Sequence, residues 1–330
     1  MRILVYDVAA SSGGALTVLN SFYEEFCKDT KNEYIFVLSV CELKEQPHIK
    51  VLNFPWIKKS PLHRMYFDQV LAHKLVKKYH ADKVLSLQNI ELPHAGVPQM
   101  VYEHNALPFS EYKFRPQEAF RPWYSQQILG RMMKRSIRRA EQVLVQTNWM
   151  KEEIIRQCGI PADRVEVKFP PVEMLKTHPW KMDETCPTFF YPAGPPAYKN
   201  HRTFLKACEL LKEQGMEDYR VIWTVTGEEN EGMKKLKAEA EENKLPIEFI
   251  GPVPRTQLFE QYASSVLVFP SYIETIGLPL LEARSVGAPI LAADCLYARD
   301  GVGDYDRAEF FETFDSEALS RLMKQKIVEK

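Results

Sequence analysis

The stretch that decides the fold is residues 266–294, VLVFPSYIETIGLPLLEARSVGAPILAAD. It opens with the apolar run VLVF, which Pro270 and Ser271 end, and this pattern is typical of a buried strand in a parallel sheet. Pro279 suits a first helical turn, because its φ is already fixed and its missing N–H would be unpaired there anyway. Gly287 is expected to end that helix before the next strand begins. The stretch therefore predicts a strand, a loop, a helix and a second strand.

Two glutamates, Glu274 and Glu282, flank the predicted start of this helix. The first turn of a helix offers free N–H groups and the positive end of a dipole, which suits a phosphate group. Open α/β sheets bind ligands at the edge where such strands end. Taken alone, two glutamates at this spacing are more often a solvated loop residue and a helix residue favoured by the dipole. The intervening GLPLLEA and the preceding strand favour a pair that binds the hydroxyls of a sugar and of a ribose.

These residues resemble the glutamate, seven residues, glutamate motif of the retaining glycosyltransferases of family four. The resemblance implies the GT-B fold, an α/β fold with two doubly wound, parallel-sheet (Rossmann-like) domains that face each other across a cleft. It implies that Glu274 contacts the sugar of a nucleotide-sugar donor and Glu282 its ribose. It also implies that the backbone around Gly277 and Leu278 contacts the diphosphate. The resemblance is specific over the C-terminal half and weaker over the N-terminal half.

Length and composition indicate an ordinary two-domain protein. A chain of 330 residues can bury two cores, and its 43 basic and 44 acidic side chains give no overall indication of nucleic-acid binding. No apolar run approaches the ~18 residues of a membrane-spanning helix. The N-terminal MRILVYDV lacks the basic segment and long apolar run of a signal peptide. We therefore expect a cytoplasmic location, with contact at the inner face of the membrane left open.

The sequence gives no indication of a metal centre. None of the six cysteines forms a Cys-x-x-Cys pair or lies near a histidine at ligand spacing. Asp304-Tyr305-Asp306 resembles the Asp-x-Asp that binds metal-bound diphosphate in the other main glycosyltransferase fold, but it comes late, in a polar turn. We interpret it as a turn and expect neither a metal nor another cofactor, since the nucleotide-sugar is a substrate.

Alternating strands and helices predict a parallel sheet in the N-terminal half as well. Gly13 and Gly14 lie between the predicted strand 2–8 and a helix, where glycines allow a ligand to approach the backbone. They do not form the dinucleotide-binding G-x-G-x-x-G, and a tight turn without a ligand explains them equally well from local sequence. The resemblance implies that this turn faces the donor diphosphate.

His104 follows the predicted strand 98–103, at the edge where α/β sheets bind ligands. A lone histidine is more often structural. Its position resembles that of the family's N-domain histidine, which contacts the donor sugar. We therefore expect His104 to bind substrate rather than to transfer a proton.

Lys199 and Asn200 follow the predicted strand 188–191 and its loop. Most lysines are surface residues, but one at this place can neutralise the charge that develops as a nucleotide leaves. The Lys-Asn pair resembles that of the family, which implies a donor contact. The family's usual arginine a few residues earlier has no counterpart in AGPP. Arg202 or a residue of the N-terminal domain would have to replace it, or charge stabilisation is weaker.

Two further segments are open to two interpretations. Val253 lies in GPVP, which is either a turn after a strand or, by the resemblance, backbone that holds the nucleobase. Residues 107–139 combine aromatic side chains with arginines and lysines, as in segments that contact an anionic membrane or a lipid-linked acceptor. The alternative is a helix whose Met132, Met133 and Ile137 face the core while the charges are solvated. Nucleic acid is disfavoured, because the segment stands alone in a neutral chain.

The sequence thus predicts an acceptor-side domain, residues 1–172, and a nucleotide-sugar-binding domain, residues 173–330. The resemblance implies a last helix that returns towards the first domain, and the alternative, given how little chain remains, is a crossover that is shortened or missing. The predicted reaction is metal-independent, retaining transfer of a hexosyl group from a UDP-, GDP- or ADP-linked sugar to a saccharide or lipid-linked acceptor. The predicted catalytic-site residues are Glu274, Lys199 and His104. The chain resembles transferases of bacterial surface-polysaccharide assembly. The alternatives are a sugar-nucleotide epimerase or phosphorylase-like enzyme on the same fold, and a non-catalytic nucleotide-sugar-binding assembly subunit, which the missing arginine favours.

Overall fold

The chain consists of two α/β units, Met1–Pro171 and Val172–Lys330. The computed structural model describes residues 1–11, 13–169, 178–182 and 186–328. Within them lie a seven-stranded and a six-stranded sheet, in which all neighbouring strands run parallel. The predicted fold class, two parallel-sheet α/β domains, is confirmed. Residues 170–177, which span the predicted domain boundary, and residues 183–185 lie outside the described residues.

The sheet of the first unit has the order β3-β2-β1-β4-β5-β6-β7. Its strands are β1 (Arg2–Asp7), β2 (Glu33–Leu38), β3 (Ile49–Asn53), β4 (Lys83–Ser86), β5 (Gln99–Glu103), β6 (Gln142–Val145) and β7 (Val165–Val167). Its helices are α1 (Gly13–Lys28), α2 (Pro61–Tyr66), α3 (Ala72–Lys78), α4 (Phe120–Tyr124), α5 (Gly130–Arg139) and α6 (Asn148–Cys158). Phe22 and Phe26 of α1 pack on one face of this sheet, and Phe67 and Val76 pack on the other.

Two of these helices are longer than their labels suggest, because each contains a π-helical turn. Phe67–Leu71 joins α2 to α3, and Ser125–Leu129 joins α4 to α5, which gives continuous helices over 61–78 and 120–139. Each π turn contains a polar residue that bonds to neighbouring segments. Asp68 accepts hydrogen bonds from the Tyr6 hydroxyl and from Arg64 Nε, the latter at 2.7 Å.

The other π-turn side chain, Gln126, is buried and organises the loop that follows β5. Its Nε2 donates to Ser110 Oγ at 3.0 Å and to the Tyr112 carbonyl at 2.7 Å, and its Oε1 accepts from the Phe114 N–H at 2.9 Å. Further along the 120–139 helix, Met133 and Ile137 are buried, but Met132 is 51% exposed. The alternative in which all three face the core is therefore wrong for Met132.

The sheet of the second unit has the order β10-β9-β8-β11-β12-β13. Its strands are β8 (Thr188–Tyr191), β9 (Arg220–Trp223), β10 (Ile247–Phe249), β11 (Val266–Phe269), β12 (Ile290–Ala293) and β13 (Ala308–Phe311). Its helices are α7 (His201–Glu213), α8 (Glu231–Glu242), α9 (Arg255–Tyr262), α10 (Leu278–Ser285), α11 (Leu296–Val302) and α12 (Ser316–Val328). The strand, helix and strand predicted for residues 266–294 are β11, α10 and β12.

The last helix, α12, packs against α7, β12 and β13 of its own unit. Its side chains Leu319, Met323 and Ile327 are buried. The described part of α12 therefore contributes to the core of the second unit, and its return towards the first domain stays a prediction.

Glu103, the last residue of β5, is an unusual core residue. Its side chain is fully buried, and neither carboxyl oxygen has a hydrogen-bond partner among the described residues. Burial without a compensating partner disfavours the charged form, so the pKa of Glu103 lies well above its ordinary value. The folded protein therefore binds a proton at Glu103 that the unfolded chain releases at a lower pH.

We expect Glu103→Gln to flatten the pH dependence of stability. In the wild type, the pKa of Glu103 is higher in the folded protein than in the unfolded chain, where it is about 4.3. Its contribution to the free energy of unfolding is therefore greatest below about pH 4.3 and is lost as pH rises through the pKa of the folded protein. An amide does not titrate, so the variant should gain stability relative to the wild type between about pH 5 and pH 8. Urea unfolding at several pH values measures this difference. The exposed Glu152→Gln on α6 is the control, and equal pH slopes for all three proteins would contradict the buried proton.

Candidate functional site

The candidate site lies where the strand order of the second sheet changes direction. β8 and β11 are neighbours at the centre of the sheet, with β9 and β10 on one side and β12 and β13 on the other. Ligands of open α/β sheets bind at the carboxyl ends of strands at such a switch point. The loop after β8 contains Lys199 and Asn200, and the loop after β11 contains Glu274.

Lys199 and Glu274 are in direct contact. Lys199 Nζ donates to Glu274 Oε1, and the Ser271 hydroxyl donates to the same oxygen at 2.7 Å. The two charged side chains are 19% and 17% exposed, so water screens their attraction only in part. The sequence predicted these residues separately, one for the phosphate and one for the sugar, and the structure brings them together.

Backbone hydrogen bonds hold the two loops against each other. The Tyr198 carbonyl accepts from the Tyr272 N–H at 3.0 Å and lies 3.2 Å from the Ser271 hydroxyl, whose single proton it shares with Glu274. The buried Tyr191, at the end of β8, donates its hydroxyl proton to the Lys199 carbonyl at 2.6 Å. The backbone that carries the ion pair is therefore fixed from both strands.

Asn200 connects these loops to a third one. It has a left-handed backbone (φ 59°) that asparagine tolerates better than most residues, and its side chain is buried. Its Nδ2 donates to the carbonyls of Pro270 at 3.2 Å and Thr313 at 2.7 Å, while its Oδ1 accepts from the Thr203 hydroxyl at 2.8 Å. Both amide hydrogens are thus used within the protein. A donor contact by Asn200 stays a prediction, and the bonds observed give its side chain a positioning role.

The start of α10 lies a few residues after Glu274. Gly277 precedes the helix with φ 70°, a backbone conformation that favours glycine, and Leu278 is the first helical residue. A Cβ atom on Gly277 would lie 3.0 Å from Leu280 Cδ1 and 3.1 Å from Tyr297 Cε2. Both the backbone angle and the packing therefore require glycine here. These distances do not test the predicted contact of Gly277 and Leu278 with a diphosphate, which stays a prediction.

Glu282 lies in the middle of α10 and is only 4% exposed. Its Oε2 accepts from the Tyr262 hydroxyl at 2.8 Å, and its Oε1 lies 3.0 Å from Arg255 Nη1. Burial raises the pKa of Glu282, while Tyr262 and Arg255 partly offset that effect. A ribose would have to share this carboxylate with both partners, and the predicted ribose contact stays a prediction.

Arg255 is a candidate site residue that was not predicted from the sequence. It is the first residue of α9 and follows the loop that contains Val253, the predicted nucleobase contact. One feature of the sequence could have indicated a partner for Arg255: an arginine at the start of a helix is disfavoured by the helix dipole unless a carboxylate compensates its charge. Its partner Glu282 is distant in sequence, so only the fold reveals the pair.

Arg202, one candidate for the charge of the missing loop arginine, forms an ion pair within the second unit. Its Nη1 lies 2.5 Å from both carboxylate oxygens of Glu239 on α8. A contact with a diphosphate would therefore have to compete with Glu239. Replacement of the loop arginine by Arg202 stays a prediction, as do its two alternatives, a cation from the N-terminal domain and weaker charge stabilisation.

In the first unit, His104 is held by its neighbours in the loop after β4. Its Nε2 lies 3.1 Å from the Leu87 carbonyl and 3.2 Å from Asn89 Nδ2. The His104 backbone N–H donates to Asn89 Oδ1 at 2.7 Å. Burial lowers the pKa of His104, which favours the neutral ring. A neutral imidazole can bind a hydroxyl group, and the contact of His104 with a donor sugar stays a prediction.

Gly13 and Gly14 begin α1, as the sequence suggested. Gly13 has φ 60°, and a Cβ atom on either glycine would have no heavy atom within 4 Å. Packing within the described residues therefore does not require these glycines, although the backbone of Gly13 does favour one. The space over the turn suits a ligand that approaches the backbone, and the predicted diphosphate contact stays a prediction.

The described residues offer neither a cluster of metal ligands nor a membrane-spanning helix. No group of three or more His, Cys, Asp and Glu side chains in the described part of the chain could hold a metal ion. Asp304 lies in a turn before β13 and pairs with Arg284 at 3.1 Å. Among the helices built from described residues, none is both long and apolar enough to cross a membrane.

Comparison with known families agrees with this geometry in both units. The model "Glycosyltransferase Family 4" matches residues 12–174, and the model "Glycosyl transferases group 1" matches residues 178–329. The chain belongs to the family-four glycosyltransferases. The two matches meet where the chain divides into its two units, and together they include every candidate site residue.

Curated relatives of this glycosyltransferase act on different substrates. It is 25% identical to the O-antigen chain mannosyltransferase B of Escherichia coli over 277 residues, which are 79% of this chain and 70% of the relative. It is 29% identical to the D-inositol 3-phosphate glycosyltransferase of Streptomyces scabiei (strain 87.22) over 178 residues, 48% of this chain. That match spans 39% of the Streptomyces protein, well under two thirds of its length.

Solved structures share the GT-B fold with this glycosyltransferase. The lipopolysaccharide outer core galactosyltransferase WaaB in its apo form aligns with a TM-score of 0.69 at 17% identity, over 99% of this chain and 90% of WaaB. Anabaena Alr3699/HepE in complex with UDP-glucose aligns with a TM-score of 0.68 at 16% identity, over 100% of this chain and 90% of HepE. At these identities the likeness extends to the fold alone.

We expect Asn200→Ala to lower the free energy of unfolding by about 3 kcal/mol, because three hydrogen bonds of about 1 kcal/mol each are lost. Alanine also suffers in the left-handed conformation, so Asn200→Gly should be less destabilising than alanine by about 1 kcal/mol. Urea unfolding of both variants measures these differences. Equal losses for alanine and glycine would contradict the left-handed backbone at position 200.

Proposed function

We propose that this glycosyltransferase moves a hexosyl group from a nucleotide-sugar to a saccharide or lipid-linked acceptor, with retention at the anomeric carbon and without a metal ion. The contact between Lys199 and Glu274 at the strand switch point carries this proposal. A cation and a hydroxyl-binding carboxylate lie side by side there, a few residues before the start of α10. A sugar diphosphate needs both kinds of group. The named activities of the relatives, mannosyl and galactosyl transfer, support a hexose.

We assign donor binding mainly to the second unit, with a UDP-, GDP- or ADP-linked sugar as the donor. Glu274 would accept hydrogen bonds from sugar hydroxyls, Glu282 with Arg255 would hold the ribose, and the backbone at Val253 would contact the base. The UDP-glucose bound to HepE supports a nucleotide-sugar donor. The Arg255 guanidinium is half-exposed and lies beside the proposed ribose site, so it too can donate to the nucleotide.

In the proposed reaction, the bond between the anomeric carbon and the diphosphate oxygen breaks, and the electron pair goes to the leaving nucleoside diphosphate. Lys199 and the positive end of α10 would stabilise that charge without a metal. The acceptor hydroxyl would attack from the face of the leaving group, and its proton would pass to the departing diphosphate oxygen on that face. We assign neither Glu274 nor Glu282 as a nucleophile, because both are engaged with cations.

We expect Lys199→Met to lower kcat by about 10²-fold, because it removes the cation that stabilises the leaving group. Lys199→Arg should retain more activity, since it keeps the charge. Transfer and nucleotide release, measured across a panel of donors and acceptors, give kcat and KM for each variant. Lys234→Met, which breaks an exposed pair with Glu231 on α8, is the matched control.

An unchanged kcat in Lys199→Met would contradict the proposed mechanism. A non-catalytic subunit that binds nucleotide-sugars is the second candidate, and the pairing of Arg202 with Glu239 favours it because no second cation joins Lys199 in this loop. Thermal stabilisation by nucleotides without release from any donor would favour that candidate.

We expect EDTA to leave the transfer rate within about twofold of its value in added Mg²⁺, because a lysine and a helix start replace the metal charge. Asp304→Asn should be equally neutral, since Asp304 is an exposed turn residue paired with Arg284. Rates measured after chelation and after Mg²⁺ or Mn²⁺ is restored decide this. A large loss that either metal reverses would contradict metal independence.

A further inference from the structure

Two helices of the first unit each carry a stripe of exposed apolar side chains. On the 120–139 helix the members follow one another at intervals of four residues, and on the 61–78 helix at intervals of three, one and four. Each is between 36% and 71% exposed: Phe120, Tyr124, Ile128 and Met132, and Leu62, Met65, Tyr66 and Val70. Single exposed apolar residues are ordinary, but contiguous rows on a helix indicate an interaction surface.

The charges on these two helices are almost all positive. Residues 119–140 contain six arginines and lysines and no aspartate or glutamate. Residues 61–78 contain four arginines and lysines, and their one acid, Asp68, is bound by Arg64 and the Tyr6 hydroxyl. Since the whole chain has a net charge of −1, this positive charge is a local feature.

Both helices lie on the same face of the first sheet. The connection from β3 to β4 contains the 61–78 helix, and the connection from β5 to β6 contains the 120–139 helix. Both connections run in the same direction along the strand order. Because crossovers between parallel strands are right-handed, the two helices cover one face. Arg139 pairs with Glu91 and His73 contacts His94, so both helices also border the loop between β4 and β5.

We propose that the two stripes form one docking surface for an anionic lipid bilayer. Apolar and aromatic side chains with arginines and lysines beside them suit the boundary between acyl chains and negatively charged headgroups. A nucleic acid would use the cations but not eight apolar side chains. A symmetric dimer through this surface would bring one cationic helix face against another. The bilayer is the occupant that satisfies both the apolar and the cationic residues.

The structure narrows the membrane segment that the sequence suggested and adds a second one. Phe109 and Phe114, within residues 107–139, are buried, so the exposed apolar row on that segment begins only at Phe120. The 61–78 helix gave no such indication from sequence. This surface does not depend on the transfer reaction, and a vesicle assay tests it separately from activity.

The test is flotation of the full chain with vesicles of phosphatidylcholine alone and of phosphatidylcholine mixed with phosphatidylglycerol. We expect binding to the mixed vesicles only, and weaker binding as salt increases. Leu62→Ser with Tyr66→Ser, and Phe120→Ser with Ile128→Ser, should each weaken binding at least tenfold. Arg131→Gln should weaken it roughly fivefold. Leu296→Ser removes a comparably exposed apolar side chain from the second unit and should have no effect.

All substituted side chains are exposed, so unchanged thermal unfolding would show that the variants remain folded. Variants on both helices that bind as well as the wild type would overturn the proposal, as would equal binding to neutral and anionic vesicles. A wild-type dimer that the same serine variants dissociate, without any vesicle binding, would identify a second copy as the occupant and also overturn it. Loss of binding in only one double variant would overturn the claim that the two stripes act as one surface.

Discussion

The contact between Lys199 and Glu274 depends on a fold that brings together loops 75 positions apart in the chain. Each loop follows one of the two central strands of the second sheet, and hydrogen bonds from Tyr191 and Ser271 fix the backbone on both sides. A charge pair with this little exposure attracts more strongly than a surface pair, but removing either partner would leave an uncompensated charge. A bound diphosphate would give Lys199 a second anionic partner in the same place. The site is thus organised around the charges of the ligand that we propose.

Much of this organisation is readable from the sequence because it follows local rules. The spacing of apolar residues indicates the type of each element, and single residues mark its ends. This holds for the run VLVF, for the helix that begins after Gly277 and for the strand that follows Gly287. The predicted strand 188–191 coincides with β8, and the predicted strands 2–8 and 98–103 differ from β1 and β5 by one residue each. Likewise, the placement of Lys199 and Glu274 in loops after parallel strands required only the strand pattern. Even the turn at Asp304 follows from its polar neighbours.

The features that the sequence did not reveal depend on contacts between distant segments. Nothing near Arg255 indicates that Glu282, on the next helix, is its partner. Glutamate side chains are mostly exposed, so the sequence does not predict that Glu103 is buried. Only the packing of the unit shows that its carboxyl group has no hydrogen-bond partner among the described residues. Met132 is exposed because it lies about 100° around the helix from the buried Met133, and the sequence alone does not show which of these two adjacent methionines faces the core. In each case tertiary structure decides what local pattern leaves open.

The π turns at Phe67–Leu71 and Ser125–Leu129 let the two faces of each long helix make different contacts. An extra residue in a helix would normally rotate everything beyond it by about 100°. Absorbed in a wider turn, the extra residue lets Asp68 or Gln126 bond to the body of the unit while the outer row continues without a break. The turns therefore let each helix direct a polar side chain inward to hydrogen-bond while its exposed apolar side chains stay aligned along the outer face.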